Sequence, residues 1–137
     1  MEQVNRSELR KMIMTILYQI GIFKQGGIPY NVDDIIKSVC SIDNLFVNSV
    51  VHGVLDNIDE IDGIANGVLN GWTIDRLGNT DQAILRMAIY ELVYSDTPDV
   101  VAINEAVELA KAYSDDDVRK MINASLDKLY HERVDNE

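Results

Sequence analysis

Residues 79–113 read NTDQAILRMAIYELVYSDTPDVVAINEAVELAKAY, and this stretch decides the fold. Its first half is apolar around most of a helical circumference, with a narrow polar strip through Gln82, Arg86 and Tyr90. A helix that is apolar on nearly all sides is buried among other helices. Pro98 marks a break, and after it apolar residues recur at helical spacing on one face. The stretch predicts a central buried helix followed by an amphipathic helix that packs back on it.

Arg86 is the residue of this polar strip that most needs a partner, because a buried guanidinium without a carboxylate is costly. Glu105 and Glu108 lie on the following amphipathic segment, at a spacing that places them on neighbouring turns of a helix. We expect one of them to pair with Arg86. This structural role is favoured over ligand binding.

The sequence on both sides of residues 79–113 also has helical periodicity, and no segment alternates as a strand would. Asn5, with Glu8 three residues later, predicts a capping box that opens a first helix. We expect this helix to end near Gly21. A short helix is expected after Asn31.

Residues 43–72 predict two helices, with a break and a new N-cap near Asn57. Ser114, followed by Asp117 three residues on, predicts the cap of the last helix. Several glycines of the middle region each cost about 1 kcal/mol in a helix, so we expect them where neighbouring backbones approach closely. They are Gly53, Gly63, Gly67 and Gly71. The whole pattern predicts an all-α protein with a single domain over residues 1–137.

Length and composition restrict the class of protein. A chain of 137 residues with 47% hydrophobic and 26% charged residues suits one globular core. Cys40 is the only cysteine, which excludes an internal disulfide and a cysteine-based zinc site, and we expect it to be a small core residue. No apolar run approaches the roughly 20 residues that span a bilayer. The N-terminus lacks the apolar core of a secretory signal, so a cytoplasmic location is expected.

The sequence contains no pattern typical of catalysis or of metal binding. It has no phosphate-binding loop, no nucleophile motif and no metal-ligand spacing. Its two histidines, His52 and His131, fall in different predicted helices, and His52 is expected to be a packing residue. We therefore expect a protein without enzymatic activity, catalytic residues, metal or cofactor.

The charge is unevenly distributed. The net charge is −11, which repels nucleic acid at long range. Residues 1–25, however, carry a net charge of +2 and the remainder carries −13. Any contact with nucleic acid is therefore expected to be local and shared with a basic partner.

One face of the first helix is expected to point away from the core. Five of its residues fall within about 100° of one another on the helix. They are Ser7, Arg10, Lys11, Met14 and Tyr18. Tyrosine is typical of interface anchors, and cations at this end of the helix could pair with phosphates. The alternative is that another part of the chain covers Met14 and Tyr18.

Four segments resemble the NusB family of transcription antitermination factors. They are RSELRKMIMTILYQ, DQAILRMAIYEL, VAINEAVELAK and SLDKLY, and together they extend over nearly the whole chain. The resemblance implies an all-helical bundle of about seven helices and a non-enzymatic RNA-binding adaptor. Such adaptors pair with NusE, a ribosomal small-subunit protein, and recognise the boxA sequence of nascent RNA. Within the RNA polymerase antitermination complex they promote read-through of terminators, notably on ribosomal RNA operons.

The resemblance also implies roles for particular residues. The arginine-rich first helix of the family contacts RNA. The tyrosine of its LYQ-type motif and the acidic residue that opens the central helix face NusE. The position before IN in the last helix is often aromatic and lies near both surfaces. The predicted RNA-contacting residues are Arg6, Arg10, Lys11, Arg119, Lys120 and Met121. The predicted partner-contacting residues are Met14, Tyr18, Asp81 and Met121.

This chain departs from the family pattern at sites that bear on RNA affinity. Ser7 and Glu8 interrupt the arginine run, and Met121 replaces an aromatic ring on which a base could stack. Stacking of one base is worth about 1–3 kcal/mol. We therefore expect weak RNA binding by the isolated protein and firmer binding by the complex with NusE. The alternative is a protein-interaction or homodimerisation module with little RNA binding, since an exposed first helix would also serve a homodimer.

Overall fold

In the computed structural model, which describes residues 5–135, seven α-helices form a bundle in which one helix is central, and these residues contain no strand. The helices are α1 (Arg6–Gln25), α2 (Val32–Val39), α3 (Leu45–Asp56), α4 (Ile58–Val68), α5 (Asn79–Tyr94), α6 (Asp99–Tyr113) and α7 (Asp116–Asp135). A short 3-10 turn, Ile74–Arg76, precedes α5. The predicted all-α class is confirmed, and so is the break near Asn57.

The α5 helix is the axis of the bundle. It contacts α1, α3, α4, α6 and α7. Its side chains are buried on almost every side, among them Ile84, Leu85 and Ile89. The α6 helix packs back on it through Ala102, Ala106 and other small residues. The prediction for residues 79–113 is confirmed.

Helix α1 begins as predicted and ends later than predicted. The Asn5 side chain accepts a hydrogen bond from the Glu8 amide at 2.9 Å, which caps the first turn. The helix continues through Gly21 to Gln25, because Phe23 still packs against the core. The end near Gly21 was therefore wrong. Burial of apolar residues beyond a glycine offsets its cost of about 1 kcal/mol.

The cap of α7 also differs from the prediction. Asp115, one residue after Ser114, accepts the amide of Val118 at 2.8 Å. The Ser114 hydroxyl instead donates to the carboxylate of Asp81 on α5. Ser114 therefore ties two helices together and Asp115 supplies the cap.

Arg86 pairs with a different carboxylate from those expected. Its Nε and Nη2 atoms donate to the two carboxylate oxygens of Asp62 on α4, at 2.8 and 2.9 Å. The prediction of Glu105 or Glu108 was wrong, because the polar strip of α5 faces α4 at this level. Glu105 is engaged elsewhere, with Ser7 of α1.

Only one of the four glycines lies at a close approach. A Cβ on Gly53 would lie 2.3 Å from the ring of Tyr90, so the Tyr90 side chain of α5 lies directly against the backbone of α3 at this point. A Cβ on Gly63, Gly67 or Gly71 would meet no atom within 4 Å. The expectation of a close backbone approach is wrong at Gly63, Gly67 and Gly71, and at Gly53 the close neighbour is a side chain and not a backbone.

Cys40 and His52 each have a hydrogen-bond partner within the fold. Cys40 is buried, and its thiol donates to the Ile42 carbonyl at 3.2 Å. The Nε2 atom of His52 lies 3.0 Å from a carboxylate oxygen of Asp33, which links α3 to α2. Across residues 5–135, no cluster of His, Cys, Asp and Glu has the arrangement of a metal site. No helix in this part of the chain is long and apolar enough to cross a membrane.

Candidate RNA and partner interface

Arg10 lies inside the protein. It is 2% exposed, and its Nε and Nη2 atoms donate to the two carboxylate oxygens of Glu91 on α5 at 2.9 and 2.7 Å. Thr97 donates a further hydrogen bond to Glu91 at 3.1 Å. Burial alone would lower the pKa of Arg10, but the hydrogen bond and charge of Glu91, with the charge of Glu105, raise it above its ordinary value.

The expectation that Arg10 faces outward with RNA-contacting capacity was therefore wrong. On a helical wheel Arg10 lies beside exposed positions, but α5 and α6 both reach this side of α1. Glu105 of α6 lies 3.8 Å from Nη1 of Arg10 and accepts a hydrogen bond from Ser7 at 2.7 Å. Met14, one turn further along, belongs to the buried core. The alternative that another part of the chain covers this face holds for Met14.

Three predicted residues of α1 remain accessible, and we call them the α1 patch: Arg6, Lys11 and Tyr18. The Arg6 guanidinium lies over the ring of Phe46 on α3, 4.3 Å from its centroid. Such a cation–π contact holds the side chain in place while its charge stays in water. Tyr18 is 39% exposed. The α1 patch thus presents two cations and a phenol ring on one helix.

A groove between the start of α5 and α7 brings together two other predicted residues, Asp81 and Met121. We call it the α5–α7 groove, and its volume is about 340 Å³. Its walls are Trp72, Arg76, Leu77, Gly78, Asp81, Asp117, Val118 and Met121. Asp81 is half-buried and is held by the Ser114 hydroxyl. The groove therefore has an apolar floor and charged edges.

The two cations before Met121 differ in their surroundings. Arg119 is half-buried, and its Nε atom lies 3.7 Å from a carboxylate oxygen of Asp116. Lys120 is exposed on α7. Lys120 is thus the more accessible of the pair to a phosphate.

Sequence reasoning missed Trp72. The indole is 47% exposed, and the Cζ atom of Arg76 lies 5.3 Å from its ring centroid. Helical periodicity does not include Trp72, since it lies in the connection between α4 and the 3-10 turn. The sequence does contain features that could have identified Trp72 as a candidate. It is the only tryptophan, it belongs to no apolar helical stripe, and an arginine follows four residues later.

Comparison with known proteins gives a consistent result. The NusB family model matches residues 7–131. The transcription antitermination protein NusB of Campylobacter jejuni (subsp. jejuni serotype O:23/36, strain 81-176) is 38% identical over 126 residues, or 90% of this chain and 94% of the relative. That of Shouchella clausii (strain KSM-K16) is 39% identical over 137 residues, with 97% and 99% covered.

Solved structures have the same fold. NusB of T. maritima superposes with a TM-score of 0.84 at 26% identity, covering 96% of this chain and 94% of that one. The crystal structure of antitermination factors NusB and NusE in complex with dsRNA gives a TM-score of 0.76 at 26% identity, with 93% and 96% covered. The likeness therefore extends over the whole described bundle.

Proposed function

This chain belongs to the NusB family, and on that premise we propose that it is a transcription antitermination factor that acts as an RNA-binding adaptor. It pairs with NusE, recognises boxA in nascent RNA and promotes read-through by RNA polymerase. The observation that carries this proposal is the agreement with relatives of that name over nine-tenths or more of both chains. A structural neighbour bound to both NusE and RNA supports the choice of partners.

The adaptor acts through binding alone, without catalysis, cofactor or metal. Because transcription takes place in the bacterial cytoplasm, we place its action there. We propose that residues 1–137 act as a single domain, since α5 contacts five of the other six helices in residues 5–135 and α2 packs on α1. The resemblance that implies NusE as the partner also implies that Asp81, the acidic residue in the first turn of α5, contacts NusE.

The residue assignments follow accessibility. Arg6 and Lys11 of the α1 patch pair with phosphates, together with Lys120 on α7, because guanidinium and ammonium groups bind them well. Tyr18 and Asp81 face NusE. Arg10 holds the first helix in place and contributes to RNA binding only by positioning Arg6 one turn away.

The proposal is tested by titrating labelled boxA RNA, followed by fluorescence anisotropy, at two salt concentrations. The protein is titrated with and without NusE, as wild type and as Arg6→Ala plus Lys11→Ala. A matched control, Lys37→Ala plus Lys111→Ala, removes the same charge from exposed positions on α2 and α6. We expect firm binding only with NusE, weakened by the α1 variant and not by the control.

Two results would contradict the proposal in different ways. If no RNA binds under any condition while sedimentation shows a concentration-dependent dimer, the protein is an interaction module. If the isolated chain binds boxA RNA at submicromolar affinity in about 0.15 M salt, NusE is not needed and the adaptor mechanism is wrong.

A further inference from the structure

Trp72 is the most unusual exposed residue of the α5–α7 groove. A large, rigid aromatic ring that keeps 47% of its surface in water gains little from folding, whereas indole rings are frequent anchors of binding sites. Trp72 shares the groove with Met121, where the family often has an aromatic ring. The groove therefore has its aromatic surface at Trp72 and not at position 121.

Arg76 places a positive charge beside the Trp72 ring. Its guanidinium lies over the indole, and it makes no ion pair with any carboxylate in residues 5–135. A cation held by an aromatic face and not neutralised by a carboxylate keeps its hydrogen-bond donors for an incoming anion. A guanidinium binds carboxylates and phosphates in this way, and phosphate is the anion that RNA supplies.

The other walls of the groove restrict what can enter. Leu77, Val118 and Met121 are apolar, and the carboxylates of Asp81 and Asp117 repel phosphate groups. A polyphosphate is thus excluded from the floor of the groove. A flat, uncharged ring can enter between the apolar side chains. A single phosphate that stays outside the groove can pair with Arg76 and avoids the two carboxylates.

We infer that Trp72 and Arg76 hold one nucleotide of single-stranded RNA, with the base stacked on the indole and its phosphate paired with the guanidinium. The inference rests on the proposed function, because it assigns one nucleotide of the same RNA to a defined place. It also accounts for Met121: the stacking surface that position 121 lacks is provided by Trp72 in the same groove.

The experiment uses the fact that Trp72 is the only tryptophan of the chain. The full-length protein, saturated with a tryptophan-free NusE, is titrated with boxA RNA while tryptophan fluorescence and the anisotropy of labelled RNA are followed. We expect the RNA to quench the fluorescence of Trp72, because stacking places the base against the indole. Trp72→Leu should weaken RNA binding about tenfold.

Two variants test whether RNA binding needs an aromatic ring at position 72 in particular, and a third tests the phosphate contact. Trp72→Phe keeps an aromatic face and should bind RNA nearly as well as wild type. Tyr30→Leu removes another exposed ring, 39% accessible and located between α1 and α2, and should leave affinity unchanged. Arg76→Gln should lower the slope of log affinity against log salt by about 0.7. Quenching in the wild-type protein does not depend on any variant folding correctly.

Three results would overturn the inference. If the wild-type complex binds RNA but shows no quenching and Trp72→Leu binds equally well, the nucleotide is elsewhere and the proposed function stands. If Trp72→Leu weakens binding of NusE and not of RNA, the groove holds a protein side chain. If the wild-type complex binds no RNA at all, the proposed function fails and the inference fails with it.

Discussion

The Arg10 guanidinium makes two hydrogen bonds to Glu91 in a space from which solvent is almost excluded. Removing one partner of such a pair leaves an uncompensated buried charge and costs about 3–5 kcal/mol. We therefore expect Arg10→Ala to lower the free energy of unfolding by about this amount. Urea denaturation followed by circular dichroism measures it.

Lys11 provides the matched control, because it is the next residue on the same helix and is exposed. Lys11→Ala should change the free energy of unfolding by less than about 0.5 kcal/mol while weakening RNA binding by the NusE complex. The reverse pattern, with a stable Arg10→Ala protein that has lost RNA affinity, would show that Arg10 contacts the RNA directly.

Tyr94 gives a prediction about pH. Its hydroxyl donates to the Glu60 carboxylate, and this hydrogen bond, with desolvation and the charge of Glu60, raises the pKa of Tyr94 to about 12. A raised pKa means that the protonated phenol is favoured in the folded state. Its contribution to stability is therefore complete below the ordinary tyrosine pKa of about 10 and is lost as the pH rises through about 12.

An ultraviolet titration of tyrosine ionisation tests this assignment. The difference between wild type and Tyr94→Phe should be a single titration centred near pH 12. A difference titration centred near pH 10 would mean that the Tyr94–Glu60 hydrogen bond does not persist in solution.

At the scale of single residues, prediction from sequence relies on the helical wheel. The wheel shows which residues share a face but not which other helices cover that face. The wheel places Arg10, Met14 and Tyr18 near one another, and only the packing of α5 and α6 separates two buried residues from an exposed one. The same limit applies to Arg86. Its need for a carboxylate was predictable from its apolar surroundings, but the choice of Asp62 depends on which face of α5 meets α4.

At the level of elements, Gly53 of α3 leaves the space that the Tyr90 ring of α5 occupies. A methyl group at this position would lie 2.3 Å from the Tyr90 ring, which is a clash. We expect Gly53→Ala to lower the free energy of unfolding by about 1–3 kcal/mol, since overpacking forces side chains or backbone to shift. Thermal denaturation by circular dichroism measures the change.

Gly63 is the comparison, because it lies in the interior of α4 with open space around its Cα atom. Gly63→Ala should raise the free energy of unfolding by roughly 0.5–1 kcal/mol through helix propensity alone. Opposite signs for the two substitutions would confirm that Gly53 is retained for packing. A stabilised Gly53→Ala protein would mean that Tyr90 moves aside freely.

Most helices were predictable because their signals are local. Asn5 and Asn31 cap their helices with side chains that the sequence displays directly. The end of α1 and the cap of α7 were not predictable, because Phe23 and Ser114 take their places through contacts with distant parts of the chain. Glycine spacing likewise could not separate Gly53 from glycines that face solvent.

For the whole molecule, the charge distribution predicts how binding responds to salt. With a net charge of −11, the protein gains from electrostatic attraction only at its few local cations. If Arg6, Lys11, Lys120 and Arg76 each neutralise one phosphate, log affinity of the NusE complex should depend on log salt with an added slope of about −3 from this chain.

Each alanine substitution at these four positions should reduce that slope by about 0.7, and Lys37→Ala should leave it unchanged. Affinity measured between about 0.05 and 0.2 M salt tests this. A slope that Arg6→Ala, Lys11→Ala, Lys120→Ala and Arg76→Ala all leave intact would mean that NusE supplies every phosphate contact.

The distance along the chain between Arg10 and Glu91, 81 positions, has a consequence for biosynthesis. A ribosome that adds about 5–20 residues per second takes roughly 4–16 seconds to reach Glu91 after making Arg10. Until then Arg10 has no Glu91 to pair with. Packing α1 into the bundle would therefore bury an unpaired charge, which is unfavourable in free energy. Helix α1 can therefore be fixed in place at low cost only after α5 has been made.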